Sequence, residues 1–343
     1  MDARTRIKTK LPESVYNFLV ARRDARAYRE MSVLDTKDYP TKLMQLYERR
    51  MGKSLDLENP RTFNEKIQWL KLYDSSAEKG MLADKYQVRA WAAEQIGAEH
   101  LIPLLGVWSD PSEIDFDALP NSFVLKATHA SGWNIIVPDK ADLDVAKARR
   151  KMRRWMETDF AMTKPTMELH YRYCSRRIIA EEFMDFDHGE PVDYRFFCSY
   201  GEVFSVWEDV ASGTLSHRRN IYDPEWNLLP SVATWPKLGA TKKPVHYDEM
   251  LRYAQDMSRD FSFVRVDFYD YDETVLFGEM TFTPMAGYVV FEPESFDAEL
   301  GGCIALPQKK IAPGESRGIE SVLSIDCMQM RDAGTVEGAK DAI

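Results

Sequence analysis

The chain has 343 residues and a formal charge of −10 at pH 7. That length buries a substantial core in two or three lobes, and the acidic balance argues against nucleic acid as a partner, which demands a positive footprint. Cys174, Cys198, Cys303 and Cys327 lack CxxC or finger-like spacing, which points to reduced thiols in a cytoplasmic protein instead of a disulfide frame or zinc site. No uncharged span reaches the roughly 18–20 apolar residues of a membrane helix, so a soluble protein is expected.

Residues 1–58 read as a charged, helical N-terminal segment, with helices expected over 11–28 and 41–51. Leu43, Met44, Leu46 and Tyr47 form an apolar face at helical spacing. A helical region, 59–110, follows. Thr62 and Glu65 have capping-box spacing, and Phe63, Ile67, Trp69 and Leu70 mark the inward side of a helix. A second helix is expected over 82–97, capped by Asp84 and closed by Gly97. Lys85 then falls in its first turn, where the dipole favours an anion over a cation. A phosphate at that helix end would explain it; a plain surface lysine there costs only about 0.3–1 kcal/mol.

Residues 111–185 contain the stretch FVLKATHASGWN, in which Phe123 and Leu125 alternate with Val124 and Lys126. A strand-end lysine ahead of a Ser/Gly loop can lay an ammonium and backbone N–H groups along a polyphosphate. It is not the GxxxxGK[ST] loop. A helix over 141–157 carries Lys147, Arg149, Arg150, Lys151, Arg153 and Arg154, either a solvated face or a surface for an anionic acceptor or membrane. The strand RRIIAEEFM spans 176–184. Residues 186–307 begin with a hairpin turning at Tyr200-Gly201, continue through loops at 216–220 and 223–226, and reach a helix over 247–260. Residues 308–343 read as a poorly ordered tail of low apolar density.

The stretch 261–287, FSFVRVDFYDYDETVLFGEMTFTPMAG, is two alternating runs around an acidic tip, an antiparallel hairpin. Arg265, Asp267 and Tyr269 share one face of the first run; Val275, Phe277, Glu279 and Thr281 share one face of the second. A three-residue turn at Asp272, Glu273 and Thr274 would set Asp267 opposite Glu279, with Cβ atoms roughly 4.5–5.5 Å apart. Two carboxylates that close need a cation between them. Mg²⁺ suits such a pair when phosphates complete its shell, and Arg265 is a ready phosphate clamp. Without metal the pair would repel, so neutralising either member is expected to stabilise the free protein slightly.

From about residue 59 to 307 the chain resembles the ATP-grasp superfamily. The hairpin is similar to its metal-binding element, FVLKATHASGWN to its strand lysine and phosphate loop, and IIAEEFM to its adenine hinge. NPRTFNEKIQWLKLYD, VLKATHASGWN and GEMTF resemble, more narrowly, its TupA-like branch, associated with teichuronopeptide and other cell-surface polysaccharide biosynthesis. The resemblance implies an α+β ATP-grasp fold, two subdomains clasping ATP between antiparallel sheets, behind a helical N-terminal extension. It implies that Lys85 and Lys126 contact ATP phosphates, with Thr128, Ser131 and Gly132 in the loop that closes over them. Glu181 and Glu182, through side chain or backbone, with Phe183 and Met184, would hold adenine, and Asp193 the ribose. Arg265 and Lys126 would act on the transferring phosphoryl group, and Asp267, Glu279 and Thr281 would hold Mg²⁺, or Mn²⁺. Thr281 stands where D-alanine–D-alanine ligases place an asparagine, and Trp133 is bulky for a closing loop. His129 reads as incidental.

The implied reaction is ADP-forming ligation through an acyl phosphate, joining an amino acid or amino sugar to an acidic sugar or peptide. The partners would be ATP, a carboxylate acceptor and an amine donor, with peripheral contact to membrane-linked glycan. Its rivals are a glycosyltransferase of polysaccharide assembly, an ATP-grasp phosphotransferase of kinase type and a non-catalytic scaffold in a biosynthetic complex.

Overall fold

Pro40 in the first turn and a left-handed Gly52 at the end bound helix α1, Tyr39–Met51. The computed structural model describes residues 22, 25, 26, 28–163, 166–186 and 191–307. The expected tail at 308–343 and most of the expected helix at 11–28 lie outside the described residues. In α2, Phe63–Tyr73, the capping box of Thr62 and Glu65 is formed. Phe63, Ile67, Trp69 and Leu70 are buried as their spacing predicts, but so are Asn64, Gln68 and Lys71. Asn64 pairs with the Val289 backbone in both directions, and Gln68 donates to the carbonyls of Ala286 and Gly287. Lys71 donates to the Ala286 carbonyl as well. These polar side chains clamp a loop in which Met285, Ala286 and Gly287 all take left-handed φ.

The helix expected over 82–97 is two helices, α3 Ala77–Ala83 and α4 Val88–Ile96. Asp84 caps the turn between them by accepting from the backbone N–H groups of Tyr86 and Gln87. Lys85 therefore sits in a connecting turn and not in a helix's first turn. Strands β1 Leu104–Trp108, β2 Phe123–Ala127, β3 Asn134–Val137 and β4 Ile178–Glu182 form an antiparallel sheet of order β1-β4-β2-β3. Helix α5, Val145–Glu157, packs on it through Ala148, Met152 and Trp155 against Phe123, Leu125 and Ala180. A short helix, α6 Phe160–Thr163, follows.

The second sheet has order β10-β9-β5-β6-β7, antiparallel throughout, from β5 Val192–Ser199, β6 Glu202–Val210, β7 Arg218–Tyr222, β9 Val264–Tyr271 and β10 Thr274–Thr281. β7 occupies most of the stretch expected as a loop at 216–220; its buried partners, described below, make it a strand. β8 Val232–Ala233 pairs with β11 Phe291–Glu292, and helices α7 Tyr247–Ser258 and α8 Ser295–Gly302 flank the large sheet's strands in the chain. One face of the large sheet, with Phe196, Val206, Val266 and Phe268, packs in one core with Val88 and Ala92 of α4 and Met250 and Ala254 of α7. The opposite face starts apolar at Phe197, Trp207, Ile221 and Phe263, against α1 and α2. Two residues further along each strand it turns charged, with Arg195, Asp209, Arg219 and Arg265. The charged half of that face carries the site.

Candidate active site

The hairpin reaches the expected pairing of Asp267 with Glu279 by a different route. Its turn has two residues, Asp272 and Glu273, both at positive φ, the mirror-image turn that suits strand twist. The missing residue is restored as a bulge between Phe277 and Glu279. Gly278 occupies the bulge, where a Cβ would come within 3.0 Å of the Asp267 carbonyl oxygen. The bulge also shifts the alternation. Val275 and Phe277 join Met280 on the apolar core face, and do not share a face with Glu279 and Thr281 as the uninterrupted pattern predicted.

A cation does lie between the carboxylates, and it is Arg265. Its Nη2 sits 2.5 Å from Asp267 Oδ2, 3.0 Å from Glu279 Oε1 and 3.1 Å from Thr281 Oγ1, while Nε donates to Asp267 Oδ1 at 2.6 Å. Lys85 approaches Glu279 Oε2 at 3.5 Å, and Arg195 Nε lies 3.6 Å from Asp267 Oδ2. Burial opposes charge on Glu279, but Lys85 and then Arg265 outweigh it and hold its pKa down to about 2. Burial wins at Asp267, against Arg265 and Arg195, and pushes it up to about 6, still ionised at neutral pH.

These shifts have opposite consequences for stability. Glu279 contributes stability above its unfolded value near 4.5 that is lost as pH falls toward about 2. For Asp267 the favourable contribution exists below about 3.8 and disappears as pH rises through about 6. Melting curves between pH 2 and 7 should therefore show Glu279→Gln flattening the acid limb. Asp267→Asn should remove the decline between pH 4 and 6. Two variants with the parent's pH profile would contradict these environments.

The hairpin forms one wall of a cleft of about 510 Å³ between the two sheets. Its other walls include Lys85, Lys126, Ser131, Gly132 and Trp133 on one side and Asp193, Arg195 and residues 211–214 on the other. Lys126 Nζ lies 2.5 Å from Glu181 Oε2, and Arg89 Nη1 holds the other oxygen at 3.1 Å. Both oxygens of the buried Glu181 are thus occupied by cations, so its side chain positions Lys126 and is not free to meet adenine. Glu182, Phe183 and Met184 follow at the end of β4 and are not among the residues lining the cleft. Thr128 does not line it either. Its hydroxyl is fully buried, donating to the Ser175 carbonyl at 2.6 Å, so its part in the loop is structural. Lys85 Nζ donates to the Ala130 carbonyl at 3.0 Å, joining the loop to the β9–β10 hairpin through Glu279.

Trp133 stacks on Trp155 at 5.9 Å and meets Phe160 edge-on at 5.3 Å. Its bulk anchors the loop to α5 and α6. Behind the cleft lies a second layer that the sequence reading missed. Asp209, fully buried, accepts from Arg219 Nε at 2.7 Å, Arg195 Nη1 at 2.5 Å and His217 Nε2 at 2.6 Å. Arg195 also reaches Asp193 at 3.2 Å. Burial alone would weaken the Arg195 charge, but Asp209, Asp193 and Asp267 outweigh it and keep the guanidinium protonated. Arg195 was legible as the residue two beyond Asp193, on the same strand face, and Arg89 as the residue four beyond Lys85.

The donors at the hairpin are hard oxygens, two carboxylates and a hydroxyl, meeting at one point now taken by a guanidinium nitrogen. They fit Mg²⁺, which binds through one or two carboxylates plus substrate phosphates. Among the described residues no group of three His, Cys, Asp or Glu converges to hold a metal, at the hairpin or elsewhere. No described helix is long and apolar enough to cross a membrane.

The family model described as TupA-like ATPgrasp matches residues 65–305. The fold is similar to D-alanine–D-alanine ligase from Bacillus anthracis complexed with ATP, at 12% identity over 59% of this chain and 55% of that one, with a TM-score of 0.36. D-Alanine–D-alanine ligase from Helicobacter pylori gives 12% identity, 67% and 62% coverage and 0.36. L-amino acid ligase from Bacillus licheniformis gives 14%, 60%, 42% and 0.35. The match takes in roughly half the length of these solved chains. No curated protein matches the chain.

Proposed function

This chain belongs to the TupA-like ATP-grasp family and is an ATP-binding enzyme of the ATP-grasp class, and from that premise we propose that it joins a carboxylate to an amine at the expense of ATP. The site belongs to a cytoplasmic enzyme of cell-surface polysaccharide biosynthesis, linking an amino acid or amino sugar to an acidic sugar or peptide. One observation carries the reading. Lys85 and Lys126 converge with Asp267 and Glu279 on a cleft between two antiparallel sheets, and Arg265 bridges the two carboxylates.

In the first step the acceptor carboxylate attacks the γ-phosphorus of ATP, the bond to the β,γ-bridging oxygen breaks, and ADP leaves. In the second the amine attacks the acyl carbon, inorganic phosphate leaves and the amine's proton goes to solvent. Lys126 and Lys85 bind the phosphates, and the 128–134 loop excludes water that would hydrolyse the acyl phosphate. Asp267, Glu279 and Thr281 would hold Mg²⁺ or Mn²⁺, which supplies charge neutralisation at the transferring group. Arg265 holds the two carboxylates together in the free protein. Admitting a metal requires it to leave the point where the three oxygens meet, which frees it for the phosphoryl oxygens. Asp193, next to Arg195, is the ribose ligand, and the end of β4 offers backbone to adenine.

Mg-ATP should raise the melting temperature, since a ligand that binds only the native state adds about 2.7 kcal/mol at 100 times its Kd. Lys126→Ala, which leaves Glu181 paired with Arg89, should lose most of that rise. ADP release should require both an acid and an amine. Release with a hydroxyl acceptor alone would make the protein a phosphotransferase, and release of a nucleoside diphosphate only from a nucleotide sugar would make it a glycosyltransferase. An unchanged thermal shift in Lys126→Ala would misplace the phosphate site.

A further inference from the structure

A second cavity, of about 240 Å³, lies on the far side of the phosphate loop, lined by His129, Asp159, Tyr171, Arg172 and Arg176 with Phe160 and Cys174. Trp133 forms the partition. It lines the nucleotide cleft, and its ring meets His129 and Phe160 of the second cavity edge-on. The cavity also adjoins the β9–β10 hairpin, since Tyr171 packs in one core cluster with Met280 and Phe282.

Two features of this cavity are unexplained by folding. His129 is 2% exposed. Its Nε2 lies 3.0 Å from the Trp155 carbonyl, which can only accept, so Nε2 carries the proton. Nδ1 is then a bare lone pair, and it is buried with no hydrogen-bond partner. Leaving such a group unsatisfied costs about 1–3 kcal/mol. At the mouth stand Arg172 and Arg176. Arg172 is paired with Asp159 at 3.0 Å. Exposed Arg176 donates to the Met156 carbonyl at 3.1 Å but makes no ion pair among the described residues. With His129 neutral, the charged lining sums to one excess positive charge: two arginines against Asp159.

We propose that this cavity is a substrate subsite that takes a carboxylate flanked by a hydrogen-bond donor, the anion on Arg176 and the donor on His129 Nδ1. Two substrate classes carry that pair of groups, an amino acid through its ammonium and a uronic acid through its hydroxyls. The subsite rests on the ligase reading and deepens it, because both classes are among the partners argued above. It also explains why the loop carries a tryptophan. The ring separates the nucleotide from the second substrate's binding groups and ties the loop's position to both.

The test is equilibrium binding of glycine, glucuronate and acetate to the full chain in Mg²⁺ and ADP, with the Mg-ATP thermal shift measured in parallel. The parent should bind glycine or glucuronate and bind acetate, which lacks the donor, at least about tenfold more weakly. Arg176→Gln should weaken the bound probe by about tenfold or more. His129→Leu should bring that probe down to the level of acetate, with the Mg-ATP shift retained in both variants. Glycine binding would assign an amino acid to this subsite, and glucuronate binding an acidic sugar, in either case through a carboxylate that anchors the substrate and is not the one that attacks ATP. Arg176→Gln binding as the parent does, acetate binding as well as the others, or no binding of any probe while the Mg-ATP shift is intact would overturn the subsite alone. Loss of the shift in the parent would instead remove the ligase reading beneath it.

Discussion

Asp209→Asn is expected to destabilise the protein by about 3–5 kcal/mol, the cost of removing one partner from a buried ion network. Asp209 is fully buried and serves Arg219, Arg195 and His217 at once. Burial pushes its pKa up, but Arg195, His217 and Arg219 outweigh burial and hold it well below the usual carboxylate range. An amide keeps the shape and removes the charge, leaving two guanidinium groups buried against β5 and β7. Arg219 would still have the Trp207 ring, 4.6 Å from its guanidinium carbon. Arg195 would keep Asp193 and Asp267, and would be drawn toward them. The substitution should therefore also alter the nucleotide cleft. Urea denaturation should show a lower midpoint with an unchanged slope, and the Mg-ATP thermal shift should shrink. A loss under about 1 kcal/mol, the range of exposed ion pairs, would mean that water reaches the network.

What the sequence made legible follows from how local each signal is. The capping box at Thr62 and Glu65 and the hairpin turn at Tyr200-Gly201 are decided within a few residues, and both form where their spacing places them. The pairing of Asp267 with Glu279 was also legible, although a tight turn plus a bulge produces the same register as a longer turn. The bulge itself was hidden, because Gly278 reads as one more alternating position, and so Val275 and Phe277 were assigned to the wrong face. Tertiary partners were the other blind spot. SHRRN looks like a loop until Asp209 supplies a buried counter-ion for Arg219, and Glu181 looks like a free hinge residue until Lys126 and Arg89 take both its oxygens. The polar stripe Asn64, Gln68 and Lys71 reads as a solvated helix face. It is buried because the left-handed loop at 285–287 needs donors for its carbonyls. In each case the side chain's role is set by a partner distant in the chain.

The Arg265 bridge reverses one expectation and sharpens the test of the metal site. Facing carboxylates with nothing between them would make Asp267→Asn or Glu279→Gln stabilising in the free protein. With Arg265 held by both, Glu279→Gln should instead cost about 1–3 kcal/mol, the range for a buried group losing a charged partner, whereas Asp267→Asn removes a charge that burial disfavours and should leave stability at neutral pH unchanged or slightly raised. Turnover should fall further, by about a hundredfold or more for either change, since each removes a charged oxygen that would hold Mg²⁺ at the reacting phosphate. The double variant should be little slower than the worse single, because residues that act as one unit are not additive. Its stability should behave differently. Losing both anions strands Arg265 near Lys85 and Arg195, so the double variant should be less stable than the sum of the two single effects predicts. Raising Mg²⁺ should partly rescue turnover in Glu279→Gln, where Asp267 and Thr281 remain as donors. Melting temperature and Mg²⁺-dependent ADP release on these four proteins, the parent included, separate the possibilities. Near-normal turnover with small additive stability losses would leave the hairpin a polar sheet face held by an arginine, with no metal site and no reaction there.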